Sequence, residues 1–359
     1  MTAPLPNRDR EQAHRGLFVA GRGSKPDDGL YRWTFDAGAW HGTHLVTVAD
    51  LSALAGHPSL PVIYGVSGVG RRGWIHAWDI SSIGQARELA VIESQGEEPC
   101  HLAVDATGHT LVATNYTSSS LAVQKLAADG TFEGNLHIVH LTGNSIDPER
   151  QDVSHPHQAV FDGTRLYVVD LGADLLREYR LRPNCDAASS LAPLREATIP
   201  PGTGPRHTSL LPDGRLAISG ELASTILVGS PAEDFDAWAV ASSTRHTGLA
   251  KTRPPRNYPG DIRVSFDGHF AYIANRGYDT ISTFAVDGDM PRFISESDSG
   301  VAWPQHLLVR ENELLVAGWD SSKVVSMPLV DGVPRESRKL FECAGAGWLL
   351  PENVTTDQP

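Results

Sequence analysis

The chain alternates short apolar runs with turn-forming clusters from end to end, and five of its segments share one pattern. They read "PCHLAVDATGHTLVATNYTSSSLAV", "HPHQAVFDGTRLYVVDLGADLLREY", "GPRHTSLLPDGRLAISGELASTILV", "YPGDIRVSFDGHFAYIANRGYDTISTF" and "WPQHLLVRENELLVAGWDSSKVVSM". In each, a proline-containing entry leads to His or Ile and an alternating strand. A turn, often Asp-Gly, a second apolar strand, a polar turn and a third alternating strand follow. The anchors His101, His157, His207, Ile262 and His306 lie 56, 50, 55 and 44 residues apart, and weaker copies at 61–80 and 16–35 bring the count to seven.

Seven units of about 50 residues with almost no helical periodicity predict an all-β, seven-bladed β-propeller of four-stranded antiparallel blades. The whole chain, 1–359, reads as one such domain, with 1–15 as a flexible N-terminal extension. An open ring would expose sheet edges. The late stretch "SRKLFECAGAGWLLP" is therefore expected to supply a strand that closes the first blade, so that both chain ends contribute to the ring.

Composition narrows the function. The 359 residues carry a formal net charge of −13, and 34 Gly and 24 Pro accompany only three Cys. The acidity argues against nucleic acid and anionic lipid as partners, because both require a basic face. "MTAPLPNRDREQAHRG" lacks the apolar stretch of a signal peptide, and no run approaches a membrane span. A soluble, cytoplasmic protein is the expectation, and a closed ring needs no partner to bury its edges, so a monomer is expected. An anionic substrate would require a site that reverses the charge locally.

The histidines of "SHPHQ" pose the first chemical question. His157 falls in the slot that His101, His207 and His306 occupy in other units, which assigns it to the fold. His155 stands outside the repeat and is the better functional candidate. In an extended segment the two would point the same way, but they make only half of a zinc sphere and nothing nearby completes it, so no metal is expected. "SGVGRRG" lacks a strand-to-helix context for a phosphate loop, no Gly-x-Ser-x-Gly elbow is present, and Cys100, Cys185 and Cys343 lack motif spacing. Covalent Ser or Cys catalysis and a bound cofactor are not indicated.

The same segments, "SHPHQAVFDGTRLYVVDLGAD", "GPRHTSLLPDGRLAISGELAST", "DIRVSFDGHFAYIANRGYDTI" and "PCHLAVDATGHTLVATNYTSSSLAV", resemble the blades of the bacterial 6-phosphogluconolactonase family, which also includes the carboxy-cis,cis-muconate cyclases. The resemblance runs from about residue 16 to about 330. It implies a site built from a His, two Arg and a Glu, here His155 or His157, Arg206, Glu221 and Arg276. Two guanidiniums can clamp an anion or an oxyanion, a neutral His can take a proton from attacking water, and Glu can orient the His or exchange protons. Asn115, Tyr116, Asp170 and Asp174 keep the family's turn residues and are expected to hold turns and blade contacts.

Some positions depart from the family pattern in ways that bear on substrate. "YGVSGVGRRG" replaces an Asn-Glu pair, Gln305 stands where relatives often carry Arg, and Trp319 where they carry a polar residue. Arg71 and Arg72 are candidate extra contacts for a small anionic lactone or carboxylate. Three readings follow: a lactone hydrolase, a cycloisomerase that closes a lactone ring, and a non-catalytic binding platform.

Overall fold

The computed structural model describes residues 16–23, 28–182, 185–230, 237–244 and 256–352; the expected extension, 1–15, lies outside the described residues. Seven antiparallel sheets form a ring of blades, and the described residues hold a single short helix, Ala187–Ser190. Seven innermost strands line the axis: Ala346–Pro351, Leu51–Gly56, Pro99–Val104, Pro156–Asp162, Pro205–Leu210, Tyr258–Val264 and Pro304–Arg310. Each packs on the innermost strands of its two neighbours, and the last meets the first. Among the described residues no helix is long and apolar enough to cross a membrane.

Blade 1 joins the two chain regions. Its innermost strand, Ala346–Pro351, pairs antiparallel with Gly16–Gly21, so three strands from the beginning of the chain and one from its end complete a four-stranded sheet. The other half of the late stretch, Arg338–Glu342, instead pairs with Lys323–Val330 as an outer strand of blade 7. Blade 2 begins earlier than its weak repeat suggested. Its innermost strand is Leu51–Gly56, upstream of 61–80, and carries no histidine or proline that would mark it.

The apolar alternation is spent between blades. Val112 and Leu121 of blade 3 meet Leu166 and Val168 of blade 4, and Leu17 and Val19 of blade 1 meet Leu315 and Ala317 of blade 7. Second strands such as Thr110–Asn115 are buried along their whole length, whereas outer strands such as Phe132–His140 face water on alternate or longer stretches. The turns carry their own chemistry. Asp105 accepts from the backbone N–H groups of His109 and Thr110 at 2.9 and 2.6 Å, and Gly108 supplies the positive φ, 72°, that the turn requires.

One irregularity recurs in every blade: near its start, the innermost strand breaks register with the second strand. The pairs Pro99↔Asn115 and His101↔Thr114 skip Cys100; Pro156↔Asp170 and Gln158↔Val169 skip His157; Pro205↔Gly220 and His207↔Ser219 skip Arg206. This bulge corrects the repeat alignment read from sequence. The true equivalent of His101, His207 and His306 is Gln158, not His157, and in blade 6 it is Asp261, not Ile262. The extra residue makes adjacent positions switch roles, so a one-residue misreading places a side chain in the wrong layer.

Trp348 occupies this layer in the closing strand and is 8% exposed. Replacing it with Ala should lower the free energy of unfolding by about 3–5 kcal/mol, the cost of removing a large buried ring. Urea denaturation checks this, and an unchanged midpoint would show that the closing strand is held by its backbone pairing alone.

Candidate active site

The skipped residues form one wall. Ser52, Cys100, His157, Arg206 and Gln305, one from each of five blades, line a cavity of about 540 Å³ at the end of the channel where the innermost strands begin. Arg22, Asp50, Glu98, Tyr116, Arg150, Glu221, Arg276 and Trp348 complete most of its lining. Four arginines face three carboxylates there, so the cavity carries a local positive excess within a chain of net charge −13.

Glu221 is the electrostatic centre. It follows the second strand of blade 5, Leu216–Gly220, and its backbone N–H donates to Gly204 O at 2.8 Å. Gly204 is held in turn by Asp174 Oδ1, which accepts from its N–H at 2.7 Å. Three guanidiniums surround the carboxylate: Arg150 Nη2 lies 2.9 Å from Oε1, Arg206 Nε lies 3.0 Å from Oε2, and Arg276 Nη2 donates to Oε2. Burial alone would raise the Glu221 pKa, yet Arg276, Arg206 and Arg150 hold it below the ordinary carboxylate range. An acid held ionised in this way is a poor proton donor; it anchors and orients the arginines.

Arg276 ends the strand Phe270–Arg276 and lies across Gly260, where a Cβ would sit only 3.0 Å from its Nε. Its Nε donates to Tyr258 O at 3.1 Å. Arg206 is less satisfied. Its Nε forms an ion pair with Glu221 without an aligned hydrogen bond, and its buried Nη1 has no partner. Burial and the nearby Arg276 push its pKa down to about 9, which identifies a cation short of negative charge. A buried guanidinium with an unmet N–H on a cavity wall is suited to receive an anionic oxygen.

The structure separates the two histidines of "SHPHQ". His157 is on the cavity wall, with its Nδ1 3.9 Å from Cys100 Sγ. Burial and then Arg206 depress its pKa well below the ordinary histidine range, so the ring is neutral. His155 does not line the cavity. Its ring stacks on Tyr116 with centroids 4.4 Å apart, and its Nδ1 lies 2.9 Å from Tyr116 O. Of the two histidines, His157 therefore faces the cavity and His155 backs Tyr116. Among the described residues no three His, Cys, Asp or Glu side chains are placed to hold one metal ion.

Arg71 and Arg72 do not line the cavity. Both are exposed at the rim and pair with Glu97 and Glu93, at 2.8 and 3.4 Å. The turn residues behave as expected: Asn115 donates to Ser94 O and Ser120 Oγ, and Asp170 takes N–H bonds from His155 and Ala173 while pairing with Arg177. Sequence reasoning missed Arg22, Cys100 and Arg150 and gave Tyr116 too small a part. A lone arginine in the polar connection "GNSIDPERQDV" carries no repeat signal, and only its position just ahead of "SHPHQ" hinted at the site.

Beneath the wall, the next layer closes the channel with His101, His207, His306 and Trp348. The His101 and His207 rings are 5.3 and 6.4 Å from Trp348, and His306 is 4.0 Å from it. His207 Nδ1 lies 2.8 Å from Asp261 Oδ1. Burial lowers the pKa of each histidine, that of His101 to about 3. The unfolded chain binds these protons at about pH 6.5 and the folded chain does not, so stability falls as pH drops below 6.5. The slope should reach up to about 1.4 kcal/mol per pH unit for each buried histidine. Between about pH 6.5 and 5.5 the carboxylates contribute little, so urea midpoints there should fall steeply, and His101→Phe should flatten the slope by up to about one proton. A flat profile in that window would overturn the neutral-plug description.

The family model for the lactonase, 7-bladed beta-propeller, matches residues 17–346. A 6-phosphogluconolactonase of Bacillus subtilis is 27% identical over 305 residues, which cover 80% of this chain and 82% of that one. A crystal structure from Lactobacillus plantarum superposes with a TM-score of 0.83 at 26% identity, covering 94% and 98% of the two chains. The periplasmic gluconolactonase of Pseudomonas aeruginosa gives 0.82 at 22%, covering 94% and 98%, a likeness of fold. With a seven-bladed ring, its closing strand and a matched span of this length, the chain belongs to the seven-bladed propeller lactonase family.

Proposed function

We propose that this protein hydrolyses the lactone of an anionic sugar acid, with 6-phosphogluconolactone as the reference substrate. The family and the name of the Bacillus relative support the class. The observation that carries the reading is Arg206 Nη1, buried without a partner on the wall that also presents a neutral His157. Water attacks the lactone carbonyl while His157 takes its proton. Arg206 receives the oxygen that becomes negative, and on collapse of the tetrahedral intermediate the proton passes to the ring alkoxide as the C–O bond breaks. Glu221 keeps the guanidiniums in place before substrate arrives, so little reorganisation accompanies charge development.

Ring-closing cycloisomerisation needs an acid to protonate a carbanion. Glu221 and His155 are its candidates; Glu221 is held ionised by three arginines and His155 does not line the cavity, which favours hydrolysis. A pH-stat assay on 6-phosphogluconolactone, gluconolactone and carboxymuconate separates the readings. Proton release with the two sugar lactones and none with carboxymuconate is expected. Conversion of carboxymuconate alone would overturn hydrolysis, and turnover of nothing would leave a binding platform.

Arg206→Ala should reduce kcat by about 10²–10³-fold, the range for loss of one oxyanion donor. Lys at this position should restore only part, since an ammonium keeps the charge without the fork. His157→Ala should lower kcat more than it raises KM, because proton transfer belongs to the transition state. Steady-state kinetics on the three folded variants check this, and a wild-type kcat in either alanine variant would remove that residue from the chemistry.

A further inference from the structure

Arg150 is the one arginine of the Glu221 cluster that does not sit on a blade strand. It lies in the connection between the strands Phe132–His140 and Pro156–Asp162, and it is fixed there at both backbone and side chain. Asp147 Oδ1 accepts from the N–H groups of Glu149 and Arg150 at 3.0 and 3.1 Å, and the next residue, Gln151, donates to Leu171 O and Asp174 Oδ2 at 2.9 and 2.7 Å. The Arg150 guanidinium spends one nitrogen on two acceptors, as Nη2 donates to Tyr116 Oη at 3.1 Å and to Glu221 Oε1 at 2.9 Å. Among the described residues, neither Nε nor Nη1 has a protein partner. Its side chain is 36% exposed, against 4% for Arg206 and 8% for Arg276.

These fractions rank the arginines by depth. Arg206 meets a group carried to the bottom of the cavity, and Arg150 meets whatever remains at the mouth. The other charged lining residues are Asp50 and Glu98, which repel an anion, and Arg22, which does not. Arg150 is the cation fixed beside Arg206 and Arg276 through Glu221, so an anionic end that enters with its carbonyl at Arg206 meets Arg150 next. The fork is also set in advance: Tyr116, which holds Nη2, is stacked on His155, and its backbone O is 2.9 Å from His155 Nδ1. Preorganisation of this kind lowers the entropic cost of binding.

We propose that Arg150, positioned by Tyr116 and His155, is the specificity residue of this site and binds a terminal phosphate or carboxylate of the lactone, remote from the reacting carbonyl. This rests on the lactonase reading given above. It assigns His155 a positioning role through Tyr116, and it explains how a chain of strong net negative charge selects an anionic substrate at the mouth of its channel.

The test compares three lactones of the same chain length: neutral, 6-phosphorylated, and bearing a carboxylate at carbon 6. In the full-length protein, Arg150→Ala should raise KM for the preferred anionic lactone at least tenfold, and by at least five times the factor seen with the neutral one. Arg150→Lys should restore part of this discrimination, and Tyr116→Phe should weaken it in the same direction by a smaller factor. The anion whose KM moves more is the one recognised. An equal rise for charged and neutral lactones would reduce Arg150 to a prop for Glu221, and an unchanged KM for both anionic lactones would equally overturn the proposal. If the wild type turns over no lactone, the hydrolase reading fails and calorimetry with 6-phosphogluconate and gluconate decides on Arg150. Tighter binding of the phosphate that Arg150→Ala abolishes would support its role, and the same affinity for both acids in the wild type would overturn it.

Discussion

A single extra residue near the start of each innermost strand organises both the channel and the site. Antiparallel pairing demands that every residue on one strand face a partner, and the bulge releases one residue per blade from that demand. The released positions converge because the blades are arranged around an axis, so five chemically different side chains from distant parts of the sequence share one wall. The following residues, back in register, fill the channel behind them. Function and closure of the core thus occupy neighbouring layers of the same strands.

Charge is managed between those layers by ionising one group fully and starving another. Glu221 takes three guanidiniums, more positive charge than one carboxylate can neutralise, and burial together with the neighbouring Arg276 pushes the Arg206 pKa down to about 9. Breaking such a cluster by removing one partner is costly, because the remaining charges stay buried. The histidine and tryptophan plug below adds no charge at neutral pH, since burial keeps each imidazole deprotonated. The positive field is therefore set by the arginines rather than diluted by the floor.

The ring also explains why loops matter here. Blade strands fix Arg206 and Arg276 to within the tolerance of a sheet, but the residue that meets solvent first, Arg150, comes from a connection that the repeat does not constrain. Its rigidity is borrowed through Asp147 and Gln151 and through Tyr116 against His155. Change in such a connection can alter which substrates are admitted without disturbing the blades.

The sequence by itself determined the architecture. Alternating apolar runs, Asp-Gly turns and the recurrence of prolines at 99, 156, 205, 259 and 304 specify strands, blade count and closure, because each depends on local period and turn chemistry. Resemblance placed His155 or His157, Arg206, Glu221 and Arg276 in the site region, and the structure brings His157 and the other three to one cavity. Which histidine reaches that cavity was decided only in three dimensions: His155 and His157 look alike in an extended segment, and the bulge at His157 together with the Tyr116 stack on His155 separates them. The same applies to Gln158 and Asp261, hidden behind more conspicuous neighbours, and to Arg71 and Arg72, which pair with Glu97 and Glu93 and do not line the cavity. Arg150 and Arg22 join the site through tertiary proximity alone, since a loop position in one blade connection and a strand end near the start of the chain have no spacing relation to Glu221. Local pattern fixes the period of a strand, whereas the direction of a single side chain at a register break depends on partners contributed from the rest of the ring.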